Sequence, residues 1–101
     1  MARYRLTKAA DQDFERIFEF GIDQFGLAQA LDYQNGMKQR FDKLAVQPNL
    51  YQAIDHIRQG YRRSVYQAHS IYYRIDDELI LIVRILGREN PETSLPEQDG
   101  T

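Results

Sequence analysis

The sequence predicts an α+β domain: an N-terminal strand, an antiparallel helical hairpin, then a three-stranded antiparallel meander, with the strands forming one sheet. Three observations carry this. The chain has 101 residues, enough for one domain with one core. Its first half repeats apolar residues at steps of three and four, the period of an amphipathic helix. After residue 60 the period changes to two, the alternation of a strand.

"RYRL", Arg3 to Leu6, alternates with Tyr4 and Leu6 on one side and reads as a short first strand. Thr7 follows with a hydroxyl suited to cap a helix. From Ala9 to Phe25 the residues Ala10, Phe14, Ile17, Phe18, Ile22 and Phe25 form a helical stripe, and Asp11, Asp13 and Glu15 sit near its start, where the helix dipole favours negative charge. Gly26 breaks the pattern and allows a tight turn. A second helix is expected from Leu27 to about Ala45, and the short connection makes the two antiparallel neighbours. Pro48 ends it. Gln47 to Ile57 reads as a loop with at most one helical turn.

Tyr61–Tyr66, His69–Ile75 and Leu79–Leu86 read as strands joined by the short turns Gln67-Ala68 and Asp76-Asp77-Glu78. Strict alternation puts Tyr73 in the core and Tyr72 at the surface or an interface. It puts Leu79, Leu81, Val83 and Ile85 on one face of the last strand, and Ile80, Ile82 and Leu86 on the other. A strand apolar on both sides needs both sides covered, and a helical hairpin covers only one face of a small sheet. Either a partner covers the second face, or the Gln47–Ile57 segment or the tail folds over it. Residues 1–88 form the expected domain. Residues 89–101, with two prolines, four acidic residues and one leucine, are expected to be a flexible acidic tail.

Composition narrows the chemistry. Thirteen Lys and Arg against fifteen Asp and Glu leave a net charge of −2, which argues against a protein that works mainly by gripping phosphates. The charge is uneven, however. Residues 58 to 74 hold Arg58, Arg62, Arg63 and Arg74 among tyrosines, on an otherwise mildly acidic body. Arginines beside tyrosines suit a protein hot spot or base stacking. There is no cysteine, hence no disulfide, thiolate metal site or cysteine nucleophile. His56 and His69 lack metal-ligand spacing, and no glycine loop for phosphates is present, so neither metal nor cofactor is expected. His69, at a strand start, is expected to bond backbone. Asp76 and Asp77 are read as turn residues. No apolar run reaches the roughly 20 residues of a membrane helix, and the N-terminus does not read as a signal peptide.

The order of elements, together with "YRLTKAADQDFERIFEFGIDQFG", "LAQALDY", "QPNL", "IRQGYRRSVYQAHSIYYRI" and "ILIVRIL", resembles the RelE/ParE toxin superfamily, closest to its ParE branch, over about residues 3 to 86. The resemblance implies a cytoplasmic toxin of a type II toxin–antitoxin system. It implies inhibition of DNA gyrase by protein contact rather than by catalysis. It implies neutralisation by a cognate ParD-like antitoxin with a ribbon-helix-helix part, in a hetero-oligomer that meets operator DNA only through the antitoxin. Alternatives within the resemblance are a ribosome-dependent mRNA interferase of the RelE type and a non-toxic module that titrates an antitoxin. No His or Tyr follows Tyr73, which places the interferase behind gyrase inhibition. The residues expected to contact the target are Tyr61, Arg62, Arg63, Arg84 and Arg88. Those expected to contact the antitoxin are Phe18, Phe25 and Leu31 on the hairpin and Ile80, Ile82 and Leu86 on the last strand.

Overall fold

The computed structural model describes residues 3–96. The elements run β1 (Tyr4–Leu6), α1 (Lys8–Phe25), α2 (Leu27–Val46), β2 (Gln52–Ala53), β3 (Tyr61–Tyr66), β4 (His69–Asp76), β5 (Leu79–Leu86) and α3 (Pro91–Ser94). The strands form one sheet in the order β1-β5-β4-β3-β2, with β1 parallel to β5 and the other pairs antiparallel. The expected strand, helical hairpin and meander are all present.

Local chemistry sets the element ends. The Thr7 hydroxyl accepts from the Ala10 N–H at 3.1 Å, capping α1, and donates to the Val83 carbonyl at 2.8 Å, which ties the helix start to β5. Gly26 closes α1 and opens α2 at φ +91°, a backbone that side chains disfavour, so the hairpin turns within one residue. Gln67 and Asp77 take φ of 50° and 60° in the two meander turns.

The helices cover one face of the sheet. There Met37, Phe41 and Leu44 of α2 and Ala10 of α1 pack on Ile71, Tyr73, Ile80, Ile82 and Ile85. The Tyr73 hydroxyl leaves this core to donate to the Pro48 carbonyl at 2.7 Å. The opposite face has its own cover: Ile54 and Leu95, with Ile57 partly buried, close over Tyr61, Tyr72, Leu81, Val83 and Leu86.

Four expectations are corrected by this packing. Strict alternation fails along β5, because Tyr72 pairs with Arg84 and Tyr73 with Ile82, leaving Val83 as the extra residue of a bulge. The bulge reverses parity beyond it, so Ile85 joins Ile80 and Ile82 beneath the helices while Leu86 turns to the far face with Leu81 and Val83. Ile80, Ile82 and Leu86, expected at an antitoxin contact, are therefore core residues of the chain's own fold. Tyr72, expected at the surface, is buried in the far-face cluster. The Gln47–Ile57 segment is no plain loop: Gln52 and Ala53 pair with Arg63 and Arg62, and this edge pairing places Ile54 over the sheet.

The tail is the fourth correction. Asn90 caps the short helix α3 by accepting from the Glu92 N–H at 3.0 Å, and Leu95 is only 3% exposed. Arg58 holds this segment by donating to the carbonyls of Glu92 (2.6 Å) and Pro96 (3.2 Å). Between 90 and 96 the chain is packed, because one leucine in an acidic stretch is enough to anchor it over the uncovered face. Residues 97–101 of the expected tail lie outside the described residues.

Candidate functional site

The arginine and tyrosine residues expected to meet a target do not form one patch. Tyr61 is 2% exposed and belongs to the far-face core. Arg62 donates to the Tyr51 carbonyl at 2.7 Å. Arg63 is half-buried on β3, 3.4 Å from the side-chain oxygen of Gln52 on the edge strand β2. Arg84 is bound twice to Asp13, through Nε at 2.7 Å and Nη2 at 3.0 Å, and gives Nη1 to the Ser94 carbonyl at 3.0 Å. Of the five, only Arg88 is exposed. Tyr61 and Arg84 are thus corrected from contact residues to structural ones. Asp13, read as a helix-dipole acid, is the buried partner of Arg84 and also accepts from the Ile85 N–H at 3.0 Å.

The open surface lies on the helical side. A groove of about 460 Å³ runs between α1, α2 and the β3–β4 turn, walled by Phe14, Phe18, Phe25, Ala30, Tyr33 and Met37. The helices approach closely because Gly21 faces Ala30, where an added Cβ would stand 3.3 Å from the alanine methyl. At the mouth, Phe20 and Phe25 are each 61% exposed. Leu31 is exposed but is not part of the lining. Of the helical residues singled out in the sequence, the groove brings together Phe18 and Phe25. Sequence reasoning placed Phe14 in the helical stripe but gave it no contact role, and passed over Phe20 and Tyr33. Phe20 lies off the main apolar stripe of α1, and that displacement is the signal that was available: an aromatic on a helix outside its buried stripe.

One end of the groove is polar. The Tyr33 phenol oxygen lies 2.7 Å from His69 Nδ1 and 3.2 Å from the Tyr66 carbonyl; with a proton on Nδ1 it accepts from the ring and donates to the carbonyl, and in the other tautomer its one proton goes to Nδ1. His69 therefore bonds a side chain, not the backbone partner expected for it. It also borders a smaller cavity of about 180 Å³ lined by Asp13, Arg16 and Glu89. Burial pushes the His69 imidazole below its usual value, and the Glu89 carboxylate partly opposes this. A depressed value means the unfolded chain protonates first. Stability is then present above the unfolded histidine range near pH 6.5 and is lost as pH falls through the folded value. Thermal melts from pH 8 to pH 5 should show a falling midpoint, and His69→Gln should flatten that limb.

A family model described as "ParE toxin of type II toxin-antitoxin system, parDE" matches residues 4–91. The chain belongs to the ParE toxin family. Among ParE relatives, Toxin ParE1 of Mycobacterium tuberculosis is 35% identical over 86 residues, covering 84% of this chain and 88% of that protein. Toxin ParE1 of Caulobacter vibrioides is 30% identical over 86 residues, covering 85% and 88%. The fold matches a chain of the chromosomal ParDE system from P. aeruginosa, with TM-score 0.76, 21% identity and coverage of 88% and 98%. It also matches a chain of the RelBE2 toxin–antitoxin complex from M. tuberculosis, with TM-score 0.58, 21% identity and coverage of 86% and 98%. These matches place the ParE-family chain within the RelE/ParE fold. No helix among the described residues is long and apolar enough to cross a membrane.

Proposed function

We propose that this ParE-family toxin is neutralised by a ParD-like antitoxin that seats an apolar segment in the groove between α1 and α2, and that its target is DNA gyrase. The observation that carries the antitoxin reading is the exposed aromatic mouth of that groove. The sheet's far face is already closed by the chain's own residues, yet Phe20 and Phe25 stay 61% exposed at a cavity wide enough for several side chains. Covering one such side chain contributes about 1.5–3 kcal/mol, which favours an incoming helix with apolar residues at three- and four-residue spacing. The parDE pairing in the family description supports a ParD-like partner; in this reading its ribbon-helix-helix part meets the operator.

Gyrase inhibition ranks ahead of mRNA cleavage on the site chemistry. Arg84 and Arg62 are held by Asp13 and the Tyr51 carbonyl, and His69 opens into the helical groove instead of standing beside them. Cleavage of RNA needs a proton acceptor and free cations around one phosphate.

Phe25→Glu should weaken binding of the antitoxin encoded beside this gene by about 30-fold or more in titration calorimetry, the loss of one hot spot. The melting temperature should hold, because Phe25 is exposed in the free chain. Unchanged affinity would remove the groove from the antitoxin interface. Purified protein should block gyrase supercoiling, and antitoxin should restore it. Full supercoiling activity alongside ribosome-dependent mRNA cleavage would transfer the target reading to the interferase.

A further inference from the structure

The net charge of −2 conceals a segregation. From residue 8 to 46, across α1 and α2, seven carboxylates face five basic residues, including all three lysines, Lys8, Lys38 and Lys43. Residues 3–6 and 47–90, which make the sheet and its loops, carry eight arginines against five carboxylates. The acidic body and the basic sheet are different sides of one small molecule.

Register shows where the arginines stand. Arg5 pairs with Leu81, Leu81 with Arg74, and Arg74 with Tyr61. Residues paired across strands share a face, and Leu81 and Tyr61 belong to the cluster away from the helices. Arg5 and Arg74 therefore flank Leu81 on that far face, two strand spacings or about 10 Å apart. Arg3, two residues before Arg5, has the same parity. Of the other arginines of the sheet and its loops, Arg84 is held by Asp13, Arg58 by the carbonyls of the 92–96 segment and Arg62 by the Tyr51 carbonyl, while Arg63 lies beside Gln52 and Arg88 is exposed beyond the end of β5. Among the described residues, Arg3, Arg5 and Arg74 join no carboxylate, and Asp76, on the same face of β4, forms no ion pair with Arg74.

The Arg74 guanidinium is also not fully matched by the chain itself. Among the described residues, its buried Nε has no hydrogen-bond partner, and neither has the hydroxyl of Tyr61, directly across the strand pair from it. A guanidinium is always charged, and leaving one of its donors unmatched is costly unless the group serves something else.

We propose that Arg5 and Arg74, with Arg3 at the strand start, form a phosphate-binding strip that takes the sugar–phosphate backbone of a nucleic acid. The arginine fork matches phosphate oxygens in pairs, which an ammonium does not. The strip has the composition of a backbone site and lacks that of a protein interface. A protein hot spot needs exposed apolar anchors; here Leu81 is buried, and the exposed aromatics lie on the hairpin. The uneven charge lets a chain of net negative charge present one attractive face to a polyanion. This goes beyond the antitoxin and gyrase readings, and it uses the face of the sheet opposite the groove.

The test is fluorescence anisotropy of the full-length chain with a labelled mixed-sequence DNA duplex and, separately, a single-stranded RNA, at about 50 mM and about 200 mM salt. Binding to either probe is expected, weakening as salt rises. Arg5→Gln with Arg74→Gln should weaken it at least tenfold and reduce the logarithmic salt slope by about 2, one per lost phosphate contact. Lys38→Gln with Lys43→Gln, the same charge change on the helical side, should leave affinity within about twofold of the wild type. The probe that binds more tightly identifies DNA or RNA as the source of the phosphates. If the double variant melts early, Arg5→Gln alone, on an exposed edge strand, carries the test and should still lower affinity several-fold. Three results overturn the proposal: neither probe binds at low salt, the arginine variants bind like the wild type, or the strip takes labelled poly-glutamate in place of nucleic acid. None of these outcomes touches antitoxin binding at the groove, which Phe25→Glu reads separately.

Discussion

Asp13→Ala is expected to remove about 3–5 kcal/mol of folding stability, read from urea unfolding at pH 7. Asp13 is 2% exposed and is the meeting point of three elements. Its carboxylate accepts from Arg84 on β5, from the Ile85 backbone and from Arg16 one helical turn along. Arg84 in turn donates to the Ser94 carbonyl, so one carboxylate links α1, β5 and the end of α3. Deleting it strands a guanidinium that cannot shed its charge and leaves the Ile85 N–H without its acceptor. The double change Asp13→Leu with Arg84→Met should cost far less than Asp13→Ala, because it removes both charges instead of orphaning one. The same group predicts an acid limb. Burial alone would raise the Asp13 carboxyl, but the bonds from Arg84, the Ile85 N–H and Arg16 outweigh it and hold the carboxyl below the usual carboxylate range. With the folded value depressed, the contribution is complete above the unfolded value near pH 4 and is lost as pH falls through the folded value. Wild-type stability should therefore drop below pH 4 more steeply than that of the Leu/Met double variant.

Elements set by local period and punctuation were legible in the sequence. The alternation of Tyr4 and Leu6, the hydroxyl of Thr7, the glycine between the helices and the two short turns each act within a few residues, and each stands where the pattern predicted. Long-range choices were not legible. The bulge at Val83 is decided by how β5 meets β4, and by reversing parity it removed Leu86 from the face assigned to it. Asp13 and Glu15 look alike at the start of a helix; only the fold puts Arg84, 71 residues on, against the first and not the second. The groove was half legible. Phe18 and Phe25 follow from the stripe, but the phenol–imidazole pair at its end joins Tyr33 to His69, residues 36 apart with no shared local signal. Tyr61 misled for a simpler reason: an aromatic beside two arginines has the composition of a contact surface, whereas its burial depends on Ile54 and Leu95 arriving from elsewhere.

Leu95→Ala should cost about 2–3 kcal/mol, the lower part of the range for a buried leucine, because a terminal segment can settle into part of the space left behind. The far face makes the effect larger than an acidic tail would suggest. Ile54 from the loop and Leu95 from the C-terminal segment are its fully buried covers, over Tyr61, Tyr72, Val83 and Leu86. Losing one should expose apolar sheet surface, not merely loosen a chain end. Arg58→Ala should act in the same direction by another route, releasing the carbonyls of Glu92 and Pro96 and letting the segment lift. Hydrogen exchange separates the two contributions. In Arg58→Ala the amides of Thr93, Ser94 and Leu95, which bond Asn90 and Pro91 carbonyls, should exchange faster while β4 and β5 keep their protection. In Leu95→Ala the protection of β5 should fall as well, because the strand has lost part of its cover. A solvated tail would leave both proteins with wild-type melting curves. The packed segment requires that neither has one, and that the uncovered sheet adds a concentration-dependent tendency to self-associate, visible by light scattering.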